Sequence, residues 1–600
     1  MIQYLSKILY ILVGKKHSLF ILLAFMVLTS LLDTIGIGLI GPFIGLASAP
    51  SSIEKNSRLS WFYTQSGLES YGQFIALFGF IILIIFYIKS FLNFHVQKYI
   101  FRFSCNQRGK LSVKLLHAYL TLPYTFHLKR NTAILIQNIV SETNVFCSRI
   151  LLPTLSSIAY IIIIVFLALL LIKTDFAASF AVLGILLIPF LLYHRYKDRL
   201  AYWGKETSKS QIEMIRIINH SLGGLKETRV IGCESYFENQ IGKQTQRLEA
   251  AVNEYQTFNL LPRIVIEAFL ITFLVGFTSL FLISNRSAQS LTAVLGVFAV
   301  ASIRLIPSVS QLVNSVSGIR NSSHSLNKLY FDLKELEKFD IHKIPSNLNS
   351  SGARQSIDSE GCSTQSMSFI EQLDLTSITY CYPKESDPAL KNISLTIKKG
   401  QAIGLIGKSG AGKTTLVDVL IGLLTPESGD IKVDGVSIYN DLRSWQNLIG
   451  YIPQSIFLID DTIEKNIAFG VVDDQIDQER LSRALEAAQL QELVEQMPEN
   501  IKTLVGERGV RLSGGQRQRV GIARALYHER EILILDEATA ALDNETEMLV
   551  NEAIKSLSGT KTLIIIAHRL TTVEHCDHIY LLDKGCVQDS GSYREVVLKR

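Results

Sequence analysis

The 600-residue chain has little net charge: 59 lysines and arginines against 54 aspartates and glutamates leave +5. So small an excess does not argue for a nucleic-acid partner. A cysteine framework is also missing. Cys105, Cys147, Cys233, Cys362, Cys381, Cys576 and Cys586 have no metal-ligand spacing. All seven fall in segments assigned below to the cytoplasmic side, which suits reduced thiols better than disulfides. Met1–His17 has no small-residue cleavage site and only a short apolar run, so an amphipathic helix at the membrane face is expected there instead of a signal peptide. Above all the chain is short of polarity: 48% of its residues are apolar and its mean hydropathy is +0.26. That excludes a uniformly soluble protein, and the apolar excess sits in the first half.

Apolar runs near Ser18–Leu46, Phe74–Leu92, Leu151–Ile172, Phe176–Tyr193, Ile264–Ile283 and Leu291–Leu312 are long enough, or nearly so, to cross a bilayer at about 20 residues each. The two long connections, after the second and fourth runs, carry most of the cations, among them Lys98, Arg102, Arg108, Arg195, Lys197 and Arg229. The short connections carry few. The positive-inside bias places both long connections and both termini in the cytoplasm. The first external connection is expected to hold a short helix, capped by Ser51 and Glu54, with Leu59, Phe62 and Tyr63 on one face. Expected boundaries are 1–340 for a six-span membrane domain, 341–369 for a Ser/Gly/Asn-rich linker and 370–600 for a second domain.

In that second domain, the apolar run Ala402–Ile406 leads into Gly407-Lys408-Ser409-Gly410-Ala411-Gly412-Lys413-Thr414-Thr415 and then the helical pattern Leu416–Leu424. The spacing is that of a phosphate loop. Average composition gives it by chance roughly twice in a hundred chains this long, but the strand before and helix after single it out. Its glycines let successive N–H groups point at a phosphate, and the helix N-terminus adds its dipole. Lys413 can reach the β/γ-phosphates of ATP and the Thr414 hydroxyl suits Mg²⁺. The buried-strand run Ile532–Leu535 ends in Asp536, suited to the Mg²⁺ shell, and Glu537, suited to polarising water. His568, after the run Thr562–Ala567, can contact the γ-phosphate. Ser513-Gly514-Gly515-Gln516 opens another helix and offers a second anion cradle. One ATP does not need two cradles from one chain, so a head-to-tail pair of chains is expected, each ATP clamped between one loop and the partner's Ser-Gly-Gly.

With these motifs in order, the chain resembles an ABC transporter half-molecule of the exporter type: a polytopic α-helical membrane domain with six transmembrane helices, followed by an α/β P-loop nucleotide-binding domain. The resemblance implies an ATP hydrolase coupled to transport, with ATP and Mg²⁺ as cofactors. It implies that Ser409, Gly410 and Thr415 join the loop's nucleotide contacts and that Tyr382 stacks on adenine. Gln454 would link the γ-phosphate and metal to the membrane domain, Glu507 would be the X-loop residue, and Asp543, in Ala541-Leu542-Asp543, would be the D-loop residue, with Ala540 standing where many members have Ser. Pro123–Thr132 and Ser221–Arg229 match the short helices that dock on ATPase domains. A homodimer in the bacterial inner membrane, with the ATPase domain cytoplasmic, and export as the direction, follow from the same likeness.

For cargo, charges inside the spans are the pointers, since they are costly and usually face a cavity. They are Asp33, Lys89, Glu267 and Arg304. The run Ala301–Ser308, with Asp33-Thr34-Ile35-Gly36, resembles bacterial flippases for lipid-linked oligosaccharides and exporters of related glycolipids or polysaccharides. Arg304, Lys89 and, toward the cytoplasm, Arg320 are the substrate candidates. The alternative for Arg304 is a structural pairing with Glu267 or a backbone carbonyl. For the whole chain the alternatives are a broad-specificity drug or lipid exporter and an ATP-gated channel or regulator.

Overall fold

The computed structural model describes residues 2–12, 17–48, 50, 57–68, 70–174, 176–283, 288–338, 367–383, 385–537, 544–567 and 569–598. The chain divides into two compact units, Met1–Leu122 with Lys129–Asn349, and Ser350–Arg600 with Pro123–Leu128.

The first unit is helical: α1 (Ile2–Ile11), α2 (His17–Ser48), α3 (Ser57–Ser66), α4 (Tyr71–Thr121), α5 (Leu152–Thr174), α6 (Phe176–Gly223), α7 (Glu234–Ile283), α8 (Ala288–Asn321) and α9 (Ser323–Glu337). Where an apolar run continues into a polar helical pattern, one long helix carries both: α4, α6 and α7 extend well beyond their apolar parts. Among the described residues, Ile21–Ala47, Tyr71–Thr121 and Thr132–Lys173 are long and apolar enough to cross a membrane. The other three expected runs lie on α6, α7 and α8, which pass partly through residues whose side chains are not described. Phe80, Leu83, Tyr87 and Phe91 are exposed along α4, the surface a lipid phase would cover. Ile37, Leu167, Ile266 and Leu305 knit α2, α5, α7 and α8 into one core.

Two local expectations are refined. α1 is docked on α9: Lys7 donates to Asn327 at 2.6 Å, and the Tyr10 and Tyr330 rings meet edge-on at 5.0 Å. On α3, Tyr63 packs against Tyr71 and Phe74, while Phe62 is exposed instead of sharing that face. Ser51, Glu54 and the Leu59 side chain lie outside the described residues. Short helices do form at both expected docking segments, Tyr124–Leu128 and Leu225–Ile231.

The second unit contains two sheets. β1 (Gln372–Tyr380), β2 (Leu390–Lys398), β4 (Ser428–Val433) and β5 (Val436–Ser437) form an antiparallel sheet in the order β2-β1-β4-β5. β3 (Ala402–Ile406), β6 (Ile449–Ile452), β7 (Ile532–Asp536), β8 (Thr562–Ile566), β9 (His578–Asp583) and β10 (Cys586–Gly591) form the other, in the order β10-β9-β3-β8-β7-β6. Its strands are parallel except β10. β3, β7 and β8 read as unbroken apolar runs because both faces are covered. Leu533 and Leu535 enter one core while Ile532 and Ile534 enter the other, and Leu563/Ile565 and Ile564/Ile566 alternate the same way.

Candidate functional site

Strand register brings the scattered motifs together. Leu405 pairs with Ile566, and Ile566 with Asp536, so β3, β8 and β7 end at one level; Ile452 of β6 pairs with Leu535. The phosphate loop, Asp536-Glu537 and Gln454 therefore emerge side by side along the carboxyl edge of a parallel sheet, where such folds bind ligands.

The loop enters α10 (Lys413–Leu420) through Gly412 at φ 99°. A Cβ on Gly407 would lie 2.2 Å from the Leu582 carbonyl oxygen, so only glycine fits there. Lys413 is 5% exposed and its ammonium donates to the carbonyls of Gly407 (2.8 Å) and Lys408 (3.2 Å). It is closed over its own loop. Burial pulls its pKa down, opposed by the charges of Glu537 and Asp536. Ser409, Gly410 and Thr414 are exposed. The Thr415 hydroxyl lies 3.1 Å from that of Tyr382, whose ring meets Tyr380 edge-on, so the expected adenine platform is tied to the loop.

Glu537 has a left-handed backbone (φ 51°), held where its N–H donates to the Ile566 carbonyl at 3.1 Å. Such strain, of order 1 kcal/mol or more, collects at functional sites. Gln454 Nε2 donates to Glu537 Oε2 at 2.7 Å. Asp536 is 5% exposed and accepts from the Tyr451 hydroxyl at 3.2 Å. Burial, then the charge of Asp536, pushes the Asp418 carboxyl on α10 up to about 6. The charges of Asp418 and Asp536 repel each other, which a divalent cation at Asp536 would relieve. Thr414 and Asp536, with the Gln454 amide oxygen, fit Mg²⁺, whose remaining positions usually go to phosphates and water. When bound, Mg²⁺ would supply charge neutralisation at the phosphates.

Ser513 caps α11 (Gly514–Tyr527): its hydroxyl accepts from Gln516 N at 3.2 Å, and the Gln516 side chain accepts from Ser513 N at 2.9 Å. The Gln516 amide oxygen is thus occupied by the cap, and Gly514 and Gly515 offer the remaining first-turn N–H groups. Glu507 lies in a 3₁₀ turn, Glu507–Gly509. Sequence reasoning missed Arg524. From α11 it donates to the carbonyls of Asn466 (2.8 Å) and Phe457 (3.0 Å), fastening the Ser-Gly-Gly helix to the segment that follows Gln454. His568, Ala541, Leu542 and Asp543 lie outside the described residues.

In the first unit, Asp33 of α2 is bound by two cations. Lys89 of α4 lies at 2.5 Å from Oδ1; Arg304 of α8 approaches Oδ2 through Nη2 at 2.7 Å and Nε at 3.0 Å. Arg304 therefore pairs with Asp33 and not with Glu267, which is exposed. Lys89 turns inward over the Phe86 ring. Asp33 is 2% exposed, yet the Arg304 side chain remains 35% exposed. Arg320 is held by the Tyr4 hydroxyl (2.6 Å), Asp198 (3.0 Å) and the Lys197 carbonyl (3.1 Å), tying α8 to α1 and α6; in this conformation its donors serve the scaffold.

Comparison with known proteins follows this layout. Residues 19–305 match the family model for the ABC transporter transmembrane region and residues 390–540 that for the ABC transporter. The ATP-dependent lipid A-core flippase of Ralstonia nicotianae is 30% identical over 503 residues, 82% of this chain and 79% of that protein. Its namesake in Pseudoalteromonas translucida is 31% identical over 503 residues, covering 81% and 80%. A solved bacterial Atm1-family ABC exporter with ATP bound superposes with a TM-score of 0.73 over 95% of this chain and 96% of that one, at 20% identity, a likeness of fold.

Proposed function

The chain belongs to the ABC transporter family, as an exporter-type half-transporter whose ATP hydrolysis is coupled to transport, and we propose that as a homodimer in the bacterial inner membrane it flips a phosphorylated glycolipid. Lipid-linked oligosaccharides and lipid A-core glycolipids share that chemistry: acyl or prenyl tails, phosphate, and sugars. The observation that carries the reading is the Asp33–Lys89–Arg304 cluster, one carboxylate against two cations. A net positive charge on membrane-spanning helices is costly unless it meets an anion, and guanidinium binds phosphate oxygens bidentately. The relatives named lipid A-core flippases support the same class.

In the ATPase unit, Lys413 and the loop N–H groups bind the phosphates, Thr414, Asp536 and Gln454 hold Mg²⁺, and Glu537, aligned by Gln454, takes the proton of the attacking water. Ser513, Gly514 and Gly515 act on the partner's ATP. Val230 and Ile231, 88% and 73% exposed at the end of the second docking helix, suit burial against a second copy.

The test is stimulation of ATP hydrolysis in liposomes by phosphorylated lipid-linked glycans against apolar drugs. The reading expects glycolipid stimulation that Arg304→Ala removes and Arg304→Lys restores in part. Stimulation by drugs alone would favour the broad-specificity exporter.

A further inference from the structure

Beyond the apolar parts of α6, α7 and α8, these helices and the segment before α5 enclose a cavity of about 400 Å³. It is continuous in its lining with a second, of about 560 Å³, through shared walls that include Arg149, Gln211 and Asn321. Six of the fifteen residues lining the smaller one are carboxamides: Gln211, Gln256, Asn259, Gln311, Asn314 and Asn321. On α8 the pattern is regular. Gln311, Asn314, Gly318 and Asn321 recur at steps of three and four, so one helical face presents amides for three turns.

We propose that this chamber binds the sugar portion of the glycolipid; the inference rests on the function proposed above and names the part of the cargo that the cation cluster does not read. Three observations carry it. First, Asn259 and Asn314 each have a buried side-chain oxygen, Oδ1, with no hydrogen-bond partner among the described residues. Leaving such a group unpaired costs about 1–3 kcal/mol, so two in one cavity mark a place built for a polar ligand. Second, charge is scarce. Arg149 is the charged residue in the described wall of the smaller cavity; the larger adds Arg108 and Glu142, the latter paired with Lys328. A site for a metal or a polyanion would look different. Third, each carboxamide both donates and accepts, as each sugar hydroxyl does, while Tyr255, Leu248 and Val252 in the same wall offer apolar surface to the C–H face of a sugar ring. An apolar drug would bury the amides without partners, and a site so built rejects it.

The placement fits the cation cluster. Gln311, Asn314 and Asn321 follow Arg304 on α8 by about 10 to 25 Å along the helix. A lipid whose phosphate meets Arg304 would thus extend its sugars into the chamber, on the side of the long connections.

The test uses two matched pairs of lipids with the full-length protein in proteoliposomes: lipid A-core against lipid A lacking the core, and a polyprenyl-pyrophosphate-linked oligosaccharide against sugar-free polyprenyl pyrophosphate. For the pair that is cargo, the sugar-bearing member should half-stimulate ATP hydrolysis at a concentration about tenfold lower, as one or two hydrogen bonds provide. Asn259→Leu with Asn314→Leu should erase that advantage while the response to the sugar-free partner stays within about twofold. Gln211→Ala, at an exposed position of the wall, repeats the test without touching buried packing and should erase part of it. Equal responses to both members of each pair in the wild type, or an undiminished sugar advantage in the variants, would overturn the chamber and leave the proposed function standing. Stimulation by none of the lipids would overturn both.

Discussion

Gln454 donates a 2.7 Å hydrogen bond to Glu537, joining the turn after β6 to the end of β7. The bond holds a carboxylate on a strained backbone (φ 51°), close enough to the phosphate loop for its charge to act on Lys413. Replacing Glu537 with Gln keeps the shape and removes the proposed base. Steady-state hydrolysis should fall by about 10²–10⁴-fold while nucleotide still binds. Turnover near wild type in a binding-competent Glu537→Gln protein would remove Glu537 from the role of base. Gln454→Ala, which removes that hydrogen bond and keeps the carboxylate, should cost less than Glu537→Gln in the same assay.

A second expectation concerns the loop's geometry. At Gly407 a methyl group would collide with the Leu582 carbonyl oxygen at 2.2 Å, and φ is 153°. Gly407→Ala should lower the stability of the ATPase unit by about 1–3 kcal/mol, read as a fall in its thermal midpoint without nucleotide. An unchanged midpoint would show that the strand-to-loop junction has room for a methyl group.

The pH dependence follows from Asp418, whose carboxyl is raised from 3.8 to about 6 by burial and by Asp536. The folded chain holds this proton more tightly than the unfolded chain. Its stabilisation is complete below about pH 4 and is lost as pH rises through about 6. Asp418→Asn does not titrate, so the wild type should lose on the order of 1 kcal/mol relative to the variant across that window, allowing for solvent screening. Thermal midpoints of both proteins at several pH values check it; parallel curves would contradict it.

These expectations separate what the sequence discloses from what it conceals. The motifs around β3, β6 and β7 are legible because a strand buried on both faces reads as an unbroken apolar run and because glycine spacing encodes backbone shape. The Asp33 pairing is not legible: Lys89 and Arg304 lie 56 and 271 positions away, and helix packing alone decides which charges meet. Lys413 offered a phosphate ligand to the sequence, but its closure on the Gly407 carbonyl is a local choice of rotamer. The carboxamides are not legible either, because Asn and Gln on a long polar helix look like solvated surface until three helices turn them toward one space.

Assembly gives a further prediction. If each ATP is shared between one chain's loop and the other's Ser-Gly-Gly, cysteines introduced at Ser409 and Ser513 should cross-link two chains, and ATP should raise the yield. A fully active monomer in nanodiscs would exclude this arrangement.

The central claim is ATP-driven flipping of a phosphorylated glycolipid, and transbilayer movement of a fluorescent lipid A-core or lipid-linked oligosaccharide in proteoliposomes tests it most directly. The account predicts movement that requires ATP, stops in Glu537→Gln, stops in a well-folded Arg304→Ala protein and recovers in part in Arg304→Lys. Movement of both labelled lipids at the wild-type rate in Arg304→Ala, or of neither in an ATP-hydrolysing wild type, would contradict it.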